Sequence, residues 1–74
     1  MRNVIVFDSI HYTIKADKLL QNKGLKYQII TTPREISAEC GMSIETNEEY
    51  IEEICKILKE NNLNMDLHVM VDES

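Results

Sequence analysis

The sequence has no tryptophan, one phenylalanine, one proline, two glycines and two cysteines in 74 residues. Each scarcity excludes something. Two cysteines cannot staple a disulfide scaffold. Neither they nor the two histidines fall at a ligand spacing such as C-x₂-C or H-x₃-H, so no metal is expected. Two glycines cannot build a phosphate-cradling loop. Eight basic residues against thirteen acidic ones leave a net charge of -5, with the acidic residues gathered in the second half. That balance speaks against nucleic acid, which needs a basic stripe, and against an anionic membrane surface. No apolar run approaches the ~20 residues that span a bilayer. The start, residues 1–8, is too short and too strand-like for an export signal. These absences predict one small cytoplasmic domain with reduced thiols and no cofactor. Its core is small for independent stability, so a homodimer is expected.

What is present is a pattern of six elements. Residues 3–8 form a continuous run rich in Val and Ile, which predicts a buried strand. Asp8 and Ser9 can cap a helix, whose stripe is Tyr12, Ala16, Leu19, Leu20 and the stem of Lys23. Gly24 stands where a left-handed C-terminal cap belongs. Residues 26–31 read as a second strand that Pro33 ends. Glu35 to Glu39 can make one helical turn, and residues 42–45 alternate as a third strand. Thr46-Asn47-Glu48-Glu49 reads as a capping box. It opens a helix with the stripe Ile51, Ile54, Cys55 and Leu58, ended by Asn61-Asn62. Residues 65–71 alternate, with Leu67, Val69 and Val71 on one side and Asp66, His68 and Met70 on the other.

The order β-α-β-β-α-β is the split βαβ of ferredoxin-like α+β sandwiches. Right-handed crossovers put both helices on one face of an antiparallel sheet in the order 4-1-3-2. The expected core is Val4, Val6, Ala16, Leu20, Ile29, Ile44, Ile51, Ile54, Cys55, Leu58, Leu67 and Val69. The other sheet face, with Met70, His68 and one set of first-strand side chains, is expected to pair with a second copy.

One end of this sandwich gathers Ser9, His11, Cys40 and Asn61 to Asn64. Cys40 lies in a polar stretch, Thr32 to Gly41, where a thiol is exposed more often than in an apolar run. It reads either as a nucleophile or carrier of sulfur or selenium, or as a small apolar residue tucked under its loop. Gly41 permits a positive φ or a partner's close approach. Arg34 favours a thiolate or holds an anion, whereas Glu35 and Glu39 oppose the thiolate, so exposure sets its reactivity more than activation does. His11 reads as a base for Cys40 or as a solvated surface histidine. His68 belongs to the sheet face and not to the chemistry. Ser9 and Ser37 read as local caps or as hydroxyl donors to the sulfur. Cys55, within a helical stripe, reads as core.

The residues Phe7-x-Ser9, Ala16-Asp17-x-x-Leu20, Gly24 and Pro33-Arg34-Glu35-Ile36-Ser37-x-x-Cys40-Gly41 resemble small bacterial domains described as selenium/sulfur carrier-like. The resemblance covers nearly the whole chain, and the stretch from Pro33 to Gly41 is its specific part. Ala38 and Glu39 depart from it, since small hydroxylated residues often precede the cysteine there. The resemblance implies that Cys40 holds a persulfide or perselenide and passes it from a donor protein to an acceptor enzyme, without catalysis by the carrier itself. The chain lacks the Cys-Pro-x-Pro motif of other sulfur-relay carriers and the glycine-glycine tail of thiocarboxylate carriers. Two other classes stay open: an interaction or regulatory module with no chemistry at Cys40, and a small thiol enzyme with His11 as base.

Overall fold

The computed structural model describes residues 2–36 and 41–71. The elements run β1 (Arg2–Phe7), α1 (Ile10–Leu20), β2 (Gln28–Thr31), β3 (Met42–Thr46), α2 (Ile51–Glu60) and β4 (Met65–Met70). The four strands form one sheet in the order β2-β3-β1-β4. Every neighbouring pair is antiparallel. This is the α+β order read from the sequence.

The apolar run of β1 is buried on both faces, as a central strand requires. Ile5 and Phe7 face the helices and join Ala16, Leu20, Ile44, Ile54, Leu58 and Leu63 in the main core. Val4 and Val6 point the other way into a second cluster, covered by Ile30, Ile36 and Met70. The expected core therefore needs correction. Ile5, Phe7 and Leu63 belong to it, while Ile29, Ile51 and Cys55 are half-buried at its margin. Leu67 and Val69 are 46 % and 50 % exposed. Their alternation was legible, because Leu67 lies opposite Ile5 and so shares the helix-side face. Yet β4 is an edge strand, and its side chains are not sealed there. The far face is likewise not the bare apolar patch expected, since Val4 and Val6 are buried. His68 and Met70 are half-buried there.

Both helix starts differ from their sequence reading. Ser9 occupies the N-cap of α1 in extended backbone, and its side chain makes no capping bond. Thr13 replaces Tyr12 in the inward stripe, while Tyr12 is exposed. Thr46 does not cap α2. It is the last residue of β3, and its hydroxyl donates to the Lys26 carbonyl at 2.7 Å. Asn47 begins the turn into α2 instead, its Oδ1 accepting from the Glu49 amide at 3.0 Å, and Tyr50 is the N-cap.

The helix ends follow backbone rules. After α2, the Asn62 amide donates to the Lys59 carbonyl and the Leu63 amide to the Leu58 carbonyl, with Asn62 at φ 61°. This is a Schellman motif, with asparagine in the left-handed position and Leu63 buried beside Leu58. The first helix ends at Leu20 with Gln21 as its C-cap. The left-handed residue that follows is Asn22 at φ 65°, while Gly24, at φ 73°, closes the same turn two residues later.

Tyr27 fastens this second end. Its hydroxyl donates to Asp17 Oδ1 at 2.6 Å. Burial, then the bond to Asp17 and its negative charge, push the phenol from its ordinary value near 10 up to about 12. A raised value means that the contribution is complete below about pH 10 and is lost as the pH rises toward 12. Tyr27→Phe should lower stability by about 1–2 kcal/mol at neutral pH, as expected for a hydrogen bond to a charged acceptor. It should also remove the phenolate absorbance step near pH 12. Urea midpoints and an alkaline absorbance titration check both outcomes; a full-size step at that pH in the variant would assign it to another tyrosine.

Candidate functional site

The topology brings the C-terminal end of β1, the start of α1, the segment between β2 and β3 and the start of β4 to one end of the sheet. The segment between β2 and β3 leaves the sheet after Thr31 and returns at Met42. Its base is closed twice. The Thr32 amide donates to the Gly41 carbonyl at 3.2 Å. The hydroxyls of Thr32 and Ser43, both buried, share a hydrogen bond of 2.5 Å. Buried hydroxyls need a partner, and each here satisfies the other. The Ile36 amide donates to the Pro33 carbonyl at 3.0 Å, turning the chain at residues 34–36.

The first turn of α1 is tied to this base. Thr13, fully buried, donates its hydroxyl to the Met42 carbonyl at 3.1 Å. The bond anchors α1 to the residue that follows Gly41. Thr13, Thr32 and Ser43 are thus the supporting residues that the sequence reading did not single out. The signal for two of them was present in hindsight: Thr32 begins the polar stretch and Ser43 follows two residues after it.

Ser37 and Cys40 lie outside the described residues. Arg34 and Glu35 are exposed in the turn. Gly41 is exposed, and a Cβ built on it would meet nothing within 4 Å. Among the described residues, positive φ values occur at Asn22, Asn62 and Gly24. His11 is exposed on α1, with its ring against the edge of Tyr12 at 5.6 Å and 70°. Among the described residues, no hydrogen bond or ion pair joins it to Gly41 or Arg34. Ser9 offers its carbonyl to the Tyr12 amide at 3.1 Å. A small polar depression of about 80 Å³ at this end is lined by Asp8, Tyr12, Asn62 and Asn64.

A larger depression of about 350 Å³ lies at the opposite end of the sheet. Arg2 spans part of it and holds Glu45 with two bonds, Nε to Oε2 at 3.0 Å and Nη2 to Oε1 at 2.8 Å. This bidentate pairing holds the Glu45 carboxyl below its usual range, against the opposing effect of burial. Of the other polar groups there, the Thr46 hydroxyl donates to the Lys26 carbonyl and the Tyr27 hydroxyl to Asp17. The depression is at the end of the sheet opposite Thr31 and Met42. Cys55 is half-buried on α2, and burial pushes its thiol up, opposed in part by Lys59. Among the described residues no cluster of His, Cys, Asp or Glu is arranged to hold a metal ion. No helix among them is long and apolar enough to cross a membrane.

Residues 2–67 match the model of the family described as "Putative Se/S carrier protein-like". The chain belongs to this family. The match contains β1 to β3, both helices and the whole stretch from Thr32 to Gly41. No curated protein and no solved structure matches the chain.

Proposed function

We propose that the protein is a small cytoplasmic carrier that holds sulfur or selenium on Cys40 as a persulfide or perselenide. The observation that carries this reading is the family match, which includes Cys40 and the stretch around it. Two features support it. The segment bearing Cys40 is fastened at its base by buried hydrogen bonds to a rigid sheet. Beside it, Gly41 leaves open space next to the backbone, which suits the approach of a donor or acceptor protein.

The step itself is an exchange without net oxidation. The Cys40 thiolate attacks the outer sulfur of a donor persulfide; the new bond to Cys40 forms, the donor's S–S bond breaks, and the donor leaves as a thiolate. An acceptor thiolate then attacks the outer sulfur on Cys40 and releases Cys40 as a thiolate. A perselenide moves in the same way. The carrier supplies the sulfur atom, its exposure and a docking surface. No general base is required of His11, whose ring contacts Tyr12.

Intact-mass spectrometry after incubation with a cysteine desulfurase and cysteine, and separately with a selenium source, tests the reading. The expected product is the protein plus one sulfur or selenium atom, removed by a thiol reductant and absent from Cys40→Ser. Retention of the same adduct in Cys40→Ser, or no adduct at all, would overturn it. In the latter case a partner that binds Cys40→Ser unchanged would establish the interaction-module reading.

A further inference from the structure

Among the described residues, β4 is an edge of the sheet with no strand beyond it. It pairs with β1 over six consecutive residues, from Arg2 opposite Met70 to Phe7 opposite Met65, with no bulge. It contains neither Lys nor Pro. Edge strands are ordinarily protected by just such devices, because their unpaired backbone groups accept another strand. On its helix-side face, Leu67 and Val69 stand about half exposed, followed by Val71 at 76 %. The edge is therefore both open to backbone pairing and lined by apolar side chains.

We propose that this edge pairs with β4 of a second copy, antiparallel about a twofold axis at Leu67. The charge pattern selects the occupant and the register. Antiparallel pairing centred on Leu67 sets Leu67 against its own copy and Val69 against Met65. It also sets Asp66 of each protomer opposite His68 of the other, so a carboxylate meets an imidazole twice. Centring one residue later would put His68 opposite itself and Asp66 opposite Met70, losing both pairs. A strand that complements itself only when reversed fits a symmetric, isologous contact. The axis leaves the helices of both copies on the same side, so the exposed Leu67 and Val69 are covered by their counterparts. The result is one eight-stranded sheet, with β2 and β3 of each copy on the side away from the junction. This inference is independent of what Cys40 carries.

Sedimentation equilibrium on the full chain at micromolar concentrations tests it. Wild type should dimerise. Asp66→His and His68→Asp should each weaken the dimer by roughly ten-fold, since each replaces two carboxylate–imidazole pairs by pairs of identical side chains. The double variant Asp66→His with His68→Asp should restore most of the loss. Leu67→Cys in a Cys40→Ser background should form a disulfide between the two introduced thiols under mild oxidation, because directly opposed residues lie within bridging distance. Val69→Cys in the same background should not. Circular dichroism confirms that each variant is folded. A monomer at high micromolar concentration, equal cross-linking at both positions, or a double variant no better than the singles would overturn the proposal; so would an edge occupied only by a strand of another protein.

Discussion

Leu58→Ala should lower the unfolding free energy by about 3 kcal/mol, read from urea titration by circular dichroism. Leu58 is completely buried against Ile5, Phe7, Ile54 and Leu63. Truncation forfeits the transfer energy of the lost carbons and leaves a cavity that the surrounding strands cannot fill, which together cost about 2–5 kcal/mol. The same side chain packs beside Leu63 in the Schellman motif, so its loss also loosens the exit into β4. A chain of this size has only a few kcal/mol of stability to lose, and the variant should sit near its midpoint with little denaturant. Ile14→Ala, on the exposed side of α1, serves as the control and should stay within about 0.5 kcal/mol of wild type. A loss at Leu58 no larger than the control's would mean that α2 does not pack as described.

The two thiols should separate by at least about ten-fold in their rate of native-state alkylation by iodoacetamide. Cys55 is half-buried along the core-facing side of α2, and burial raises its thiol, so little thiolate is present at neutral pH. Cys40 lies in a polar stretch of the sequence, and the expectation is that its thiol is the one reached by the reagent. One equivalent of label, mapped to Cys40 by peptide mass spectrometry, is the expected native result, and Cys55 should react only on unfolding. Cys40→Ser should then remove native labelling altogether. Labelling first at Cys55, or at neither thiol, would strip the carrier reading of its site and leave the interaction module as the better account.

The sheet order was legible in the sequence because each element carries its own period and its own punctuation. Pro33 ends β2, the alternation of 65–70 marks β4, and the Asn61-Asn62 pair ends α2. What could not be read was coverage. The run in β1 is apolar at every position, so periodicity could not tell that Ile5 and Phe7 meet the helices while Val4 and Val6 meet Ile30, Ile36 and Met70. Leu67 and Val69 alternate correctly but belong to an edge, and an edge is decided by topology, not by pattern. Thr46 shows how a local signal loses to a tertiary one: its hydroxyl serves Lys26 across the sheet gap, and the helix begins later. At the candidate site, the thiol and its glycine were legible as residues. The groups that hold their segment were not, because Thr13, Thr32 and Ser43 gain meaning only when the chain returns to the sheet.

That fastening has an engineering meaning. The clasp made by Thr32 with Gly41 and Ser43, braced by Thr13, sits wholly on the sheet side of the connection. Among the described residues, the side chains that close the ring are those of Thr13, Thr32 and Ser43. The entropy of closing such a ring grows only slowly with the number of links inside it. The connection is thus a cassette with one fixed point: foreign sequences spliced between Ile36 and Gly41 should leave the clasp and the contact of Ile36 with Val4 and Val6 in place.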